Sequence, residues 1–177
     1  SLFSRYAKKE RLDTKIHEGE YILTDTMSVQ DIVVALTTGS GRQEVWITIP
    51  EGWRIDQIGD YLEEQGITTR KEFEARAKVK YFSSYAFLSG LGGSMSLEGY
   101  LFPDTYRIFV DSTVDDIITA MLDTFALRVT SDMITRANRI GLSIHEFITL
   151  TSIVEKESAR SEDLPLIASV YYNRLNA

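Results

Sequence analysis

The segment from Ser143 to Glu157 most constrains the fold, because it predicts a helix both at its start and along its length. Ser143 and Glu146 stand three residues apart, as in a capping box, where each side chain accepts the other residue's backbone N–H. The apolar residues that follow recur at helical spacing: Phe147, Leu150 and Val154. The chain must therefore provide a surface on which this helix buries one face.

Two carboxylates close this helix, Glu155 and Glu157. At helical rotation Glu157 lies about 60° from Val154 and Glu155 about 100° away on the other side. The pattern thus predicts Glu157 as the partly buried acid. A carboxyl group in low dielectric holds its proton more tightly and can donate it to a leaving oxygen. The residues alone leave a second interpretation open, in which both acids are solvated or ion-paired.

The rest of the pattern predicts an α+β chain whose first part mixes strands with helices. The predicted elements up to about residue 69 are a helix over 1–12, a strand at Glu20–Thr24, a helix opened by Ser28 and Asp31, a strand at Val45–Ile49 and a helix over 55–66. Beyond it, helices are expected over Thr68–Leu88, after Asp111–Thr113, from Ser131 and over Leu164–Leu175. Leu97–Tyr106 is expected to form a loop or a short extended segment, because Pro103 does not fit a regular central strand.

Composition excludes several classes of function. The net charge of −7 provides no basic stripe for nucleic acid. The chain has no cysteine, and its two histidines, His17 and His145, are too far apart in sequence for a conventional zinc site. We therefore expect neither a metal nor a cofactor. No apolar run approaches the length of a membrane span.

Several motifs resemble one family. Thr151–Glu157, followed by Ala168–Leu175, is similar to the endolytic murein transglycosylases of the MltG (YceG-like) family. Leu97–Tyr106 resembles the family's Glu-Gly-aromatic-x-aromatic-Pro-Asp-Thr segment, and Ile49–Trp53 resembles its Pro-Glu-Gly segment. The order and spread of these motifs make the resemblance specific.

The resemblance implies a domain organisation. Residues 1–69 would form a LysM-like strand/helix subdomain, incomplete at its start, and residues 70–177 the N-terminal part of a mostly helical, truncated catalytic domain. Family members resemble one another in a single N-terminal membrane helix and in a later catalytic stretch with a Gln-x-Asp-Pro segment. We expect this chain to lie between the two, on the extracytoplasmic side of a bacterial cell membrane.

The resemblance also implies roles for individual residues. Glu157 matches the catalytic acid, and Glu98, Asn173 and Arg174 are the candidate substrate-binding residues. The implied reaction cleaves the MurNAc–GlcNAc bond of nascent peptidoglycan strands, forms 1,6-anhydroMurNAc and ends strand elongation. Glycan strands are the implied partner, and peptidoglycan synthases are candidate protein partners. Arg174 could instead form only a surface contact at a helix end.

A rival interpretation is a non-catalytic peptidoglycan-binding or adaptor module. A hydrolase is a further alternative, but it needs a second carboxylate near Glu157. Glu155 does not suit that role, because helix residues two apart point in different directions. We expect Phe102 to be a core residue, Glu51 to mark a helix start and His145 to take no part in catalysis.

Overall fold

The computed structural model describes residues 2–9, 15–16, 21, 23–38, 44–158 and 160–175. Its helices are α1 (Leu2–Lys9), α2 (Val29–Thr38), α3 (Ile55–Glu64), α4 (Arg70–Arg76), α5 (Val114–Arg128), α6 (Ser131–Arg139), α7 (Ile144–Glu157) and α8 (Leu164–Leu175). Its strands are β1 (Glu44–Thr48) and β2 (Thr105–Phe109), and short 3-10 turns lie at Val79–Tyr81, Ala86–Leu88 and Ser161–Asp163. The predicted α+β class, mostly helical, is confirmed.

The chain forms two compact units, and the smaller one contains residues 1–45 and 109–111. In it α1 packs on α2, with Ala7 and Val33 buried. Asp31 accepts the Ser28 backbone N–H at 3.0 Å, so the predicted start of α2 is confirmed. The predicted helix over 1–12 is confirmed for α1, and residues 1 and 10–12 lie outside the described part.

The strand predicted at Glu20–Thr24 is wrong for the residues that the structure describes. Tyr21, Leu23 and Thr24 belong to no strand, while residues 20 and 22 lie outside the described part. The Tyr21 hydroxyl instead reaches the Leu36 carbonyl oxygen of α2 at 3.5 Å. The Thr24 carbonyl accepts the Met27 N–H at 3.1 Å, so the chain turns directly into α2.

The larger unit contains residues 46–108 and 112–177. Strands β1 and β2 pair in opposite directions, because the Ile49 N–H bonds the Asp104 carbonyl at 3.0 Å and the Thr48 and Thr105 hydroxyls lie 3.0 Å apart. Strand β2 was not predicted. Pro103 precedes it and so removes no sheet hydrogen bond, and buried Tyr106 and Ile108 give it the alternation of a half-buried strand.

The core of this unit surrounds α5. Its buried residues on that helix are Val114, Ile117, Ile118, Met121, Leu122 and Phe125. Thr113 and Asp116 form a capping box at the helix start, as expected for a helix opened at Asp111–Thr113. Tyr100 packs on Phe125 with ring centroids 5.5 Å apart. The aromatic loop before β2 therefore contributes to the core.

The helix predicted over Thr68–Leu88 is only half correct. Phe73 and Ala77 are buried as expected, but α4 ends at Arg76. The Val79 N–H bonds the Met95 carbonyl and the Lys80 N–H bonds the Gly93 carbonyl, both at 3.0 Å. Because these two N–H groups bond the loop at residues 93–95, they do not form the hydrogen bonds that would continue α4.

The last three helices, α6, α7 and α8, form where the sequence predicts them. Ser143 and Glu146 form the predicted capping box of α7, and α8 spans the predicted Leu164–Leu175. Helix α7 packs against both α6 and α8. The Tyr172 hydroxyl of α8 also donates to the Ile140 carbonyl after α6, at 2.9 Å. Helix α7, which carries the two candidate acids, thus contacts the helix that carries Asn173 and Arg174.

Candidate active site

Helix α7 carries both candidate acids at its C-terminal end. Val154 is buried, and the Ser158 N–H bonds its carbonyl at 3.1 Å as the helix ends. Glu155 and Glu157 are both exposed. The prediction of a partly buried Glu157 is therefore wrong, because the buried part of the apolar stripe stops at Val154 and Glu157 is the last helical residue.

The Pro-Glu-Gly segment lies against this helix end. A Cβ atom built on Gly52 would stand 3.8 Å from Glu155 Oε1 and 3.9 Å from Lys156 Nζ. Gly52 also has a φ of +74°, which favours glycine. The structure thus brings Glu155 and Lys156 next to Gly52. Sequence reasoning missed this contact. Its one local signal was Gly52 itself, which stands between Glu51 and Trp53 shortly before α3 begins.

Glu98 is joined to the start of α3. Its Oε2 accepts the Ile55 N–H at 3.2 Å, and the Ser96 hydroxyl accepts the Glu98 N–H at the same distance. Glu98 lines a polar groove of about 350 Å³ together with Arg54, Asp56, Glu74, Lys78 and Ser96. Arg54 binds Asp56 at 2.8 Å and lowers the pKa of that carboxyl. The groove therefore offers ionised groups of both signs.

The loop that carries Glu98 also contacts α7. Gly99 has a φ of +82°, and a Cβ atom there would stand 2.9 Å from Ile148 Cγ2. The next residue, Tyr100, is fully buried and its hydroxyl lies 3.0 Å from His145 Nδ1. Burial raises the pKa of Tyr100. His145 thus has a structural contact, whereas Phe102, expected in the core, is half-buried.

Asn173 and Arg174 are exposed near the end of α8. Arg174 lines a second groove of about 590 Å³, which Ile140, Leu142, His145, Thr149, Leu150, Ile153 and Tyr171 also line. Its guanidinium carbon lies 6.0 Å from the Tyr171 ring centroid. Glu157 belongs to neither groove's lining. The structure therefore places Arg174 near His145, and Glu98 near α3.

Glu146 contributes a carboxylate to the lining of the second groove. Hydrogen bonds from the Ser143 side chain and backbone hold the pKa of Glu146 below its ordinary value. Glu146 is therefore an ionised acceptor and unsuited to donating a proton. Among the described residues no cluster of three or more His, Asp or Glu could hold a metal ion. No helix within those residues has the length and apolarity to cross a membrane.

The fold and site define a class: a mostly helical α+β domain with acids at an open helix end, packed against a helix that carries Asn173-Arg174. The chain belongs to the YceG-like family, whose model matches residues 1–177. It is 35% identical over 199 aligned residues to the endolytic murein transglycosylase of Streptococcus pneumoniae D39, covering 99% of this chain and 35% of that protein.

Two further comparisons agree. The endolytic murein transglycosylase of Bacillus subtilis is 29% identical, with 97% of this chain and 50% of that protein covered. The crystal structure of a yceG-like protein from Listeria monocytogenes matches with a TM-score of 0.62 and 28% identity, covering 99% of this chain and 61% of that one. The chain thus spans a third to a half of the length of these curated relatives.

Proposed function

We propose that this chain provides the catalytic acid of an endolytic peptidoglycan lytic transglycosylase. The observation that carries the proposal is its likeness, over 99% of its length, to a protein named endolytic murein transglycosylase. The Glu155-Lys156-Glu157 end of α7 is exposed, so that an incoming polymer can reach both acids. An internal bond of a long strand can reach an acid only where the surface is open.

In the proposed reaction, Glu157 donates its proton to the glycosidic oxygen between MurNAc and GlcNAc. The carboxylate then removes the proton from the C6 hydroxyl of the same MurNAc, whose oxygen attacks C1. One C–O bond breaks, one forms, and Glu157 is again protonated. Because the nucleophile belongs to the substrate, proximity supplies much of the rate, and neither water, metal nor cofactor enters the reaction.

Glu98, Asn173 and Arg174 are the proposed substrate-binding residues. Arg174 can donate two parallel hydrogen bonds to a carboxylate of the peptide stems or to sugar oxygens. Glu98 uses one carboxylate oxygen for Ile55 and lies in a groove that offers charges of both signs. These residues lie on separate elements, so an extended ligand suits them better than a small one.

The wider organisation is also part of the proposal. Residues 1–69 would form the LysM-like subdomain and residues 70–177 the catalytic part. The site would face the cell wall from a membrane-anchored protein, with synthases as partners. Fluorescence microscopy of the tagged protein in cells would test the location, and crosslinking would test the partners.

The product of the reaction tests the proposed chemistry. Purified uncross-linked glycan strands would be digested with the protein as the cell makes it, and the new ends analysed by mass spectrometry. We expect internal cleavage and 1,6-anhydroMurNAc ends, which are lighter by one water than hydrolysed ends. Hydrolysed ends would indicate a hydrolase, and binding without cleavage would indicate an adaptor module; either result would overturn the proposal.

A further inference from the structure

The outward face of the small sheet presents an exposed tryptophan. Ile47 points into the core, so Trp46 and Thr48 point away from it, and Trp46 is 64% exposed. The pairing of Thr48 with Thr105 places Trp46 opposite Arg107. The register therefore places Trp46 on the same face of the sheet as Thr48, Thr105 and Arg107.

Two more aromatic residues lie near the edge of β1 that faces away from β2. The Ile49 N–H points towards β2, so the Thr48 N–H points the other way, and it lies 3.4 Å from the Tyr61 hydroxyl. The Tyr61 ring packs edge-on against Trp53, with centroids 5.5 Å apart and planes at 68°. Tyr61 and Trp53 are half-buried, so each keeps part of its surface in solvent. We call Trp46, Tyr61 and Trp53 the aromatic track.

The aromatic track ends beside one of the two candidate acids, Glu155. Trp53 follows Gly52, and a Cβ atom built on Gly52 would lie within 4 Å of the Glu155 and Lys156 side chains. Gly52 lies six positions after Trp46, and a fully extended chain over six steps spans at most about 21 Å. A polymer a few sugars long can therefore contact Trp46 and the end of α7 together.

We propose that the aromatic track is a binding site for the glycan strand, adjacent to the cleavage site. This inference rests on the proposed function. Sugar rings have apolar C–H faces that pack on aromatic rings, while their hydroxyls need polar partners. Trp and Tyr combine apolar area with a polar atom, and the Thr48 and Thr105 hydroxyls add further partners.

The chemistry of the track favours a glycan over other polymers. The net charge of −7 opposes nucleic acid. Threonine hydroxyls and Arg107 interrupt the apolar surface, whereas a protein interface has a contiguous apolar centre. A strand bound along the track would extend several sugars to one side of the α7 end.

Tryptophan fluorescence tests the site directly, because the chain's two tryptophans, Trp46 and Trp53, both belong to the track. The chain with Glu157→Gln, which should not cleave, would be titrated with soluble uncross-linked glycan strands. We expect a saturable emission change. Adding Trp46→Ala should weaken binding by about tenfold, in the range of measured stacking contributions, while Trp46→Phe should retain most affinity. Trp53 still reports binding in both variants.

Leu127→Ala is the matched control, since Leu127 is 75% exposed and lies on α5 outside the track. It should leave the affinity unchanged. Equal affinities of the Trp46→Ala variant and its parent, or saturation without an emission change, would overturn the inference. Cleavage is measured separately with Glu157 intact. If the protein forms product but the track does not bind glycan, only this inference is refuted. If the track binds glycan but no product forms, only the proposed chemistry is refuted.

Discussion

Gly99 lies where the Glu98 loop passes close to α7. Its φ of +82° strains any side chain, and a Cβ atom would meet Ile148 Cγ2 at 2.9 Å. Gly90 has a similar φ of +85° but has nothing within 4 Å of the same position. A substitution at Gly90 therefore introduces backbone strain alone, whereas a substitution at Gly99 introduces both backbone strain and a steric clash.

We predict that Gly90→Ala lowers the free energy of unfolding by about 1 kcal/mol through backbone strain alone. Gly99→Ala should cost roughly 1–3 kcal/mol more, because Ile148 must move within a packed interface. Urea unfolding of both variants measures the difference. Equal losses would show that the loop does not press against α7.

Tyr85 gives the stability a pH dependence in the alkaline range. Burial and a hydrogen bond to Asp123 raise the pKa of Tyr85 to about 12, from an ordinary value of 10.0. Between these two values the unfolded chain releases the proton while the folded chain keeps it. The contribution of Tyr85 to stability is therefore complete below pH 10 and is lost as the pH rises towards 12.

We predict that Tyr85→Phe makes the fall of unfolding free energy between pH 10 and 12 shallower. Tyr81→Phe should act below pH 10 and with the opposite sign, because Lys80 lowers the pKa of Tyr81 and the folded chain therefore releases this proton before the unfolded chain does. Denaturant unfolding at several pH values measures both slopes. A Tyr85→Phe slope identical to that of the parent would contradict the assignment.

At the scale of elements, the stability of α7 depends on the capping box at its first turn, although the candidate acids lie in its last turn. The Ser143 hydroxyl accepts the Glu146 N–H, and the Glu146 carboxylate accepts the Ser143 N–H at 2.8 Å. Removing the cap leaves these backbone groups to water and weakens the helix start.

We predict that Ser143→Ala lowers the unfolding free energy by about 1 kcal/mol, and that Ser143→Thr restores most of it. Thr130→Ala at the start of α6 is the matched control, because the Thr130 hydroxyl caps a helix without the candidate acids. Both alanine variants should lose stability, while hydrogen exchange should increase in α7 only for Ser143→Ala. Unchanged exchange in α7 would refute the role of the cap.

Helices with local signals could be predicted from the sequence, and elements that depend on distant pairing could not. Thr113, Ser143 and Pro165 mark helix starts within a few residues, so α5, α7 and α8 were found. Strand β2 and the end of α4 depend on partners far along the chain, β1 and the 93–95 loop. The prediction that Glu157 is partly buried failed for a related reason. Periodicity shows in which direction a side chain points from the helix, but not which parts of that helix face are covered by other residues.

At the scale of the whole molecule, the structure supplies a core but leaves Glu157 in solvent. Buried apolar residues run from Ile47 to Val154 through the larger unit. Glu157 is exposed and lines neither groove, so the described residues do not enclose a substrate around it.

We therefore predict that residues 1–177 alone fold and bind glycan strands but release little or no anhydro product. Circular dichroism and thermal unfolding would establish the fold, and mass spectrometry of digested peptidoglycan would measure the product. Abundant anhydroMurNAc ends from these residues alone would show that an exposed Glu157 suffices for the reaction.

The most direct test of the central claim compares Glu157→Gln with Glu155→Gln in the protein as the cell makes it. The two residues lie at the same helix end and both are exposed, so each variant controls for the other. We predict that Glu157→Gln lowers the rate of anhydroMurNAc release by roughly 10²–10⁴-fold, as expected on losing a general acid–base group, and that Glu155→Gln has a much smaller effect. Loss of release with Glu155→Gln, together with activity retained in Glu157→Gln, would contradict the account.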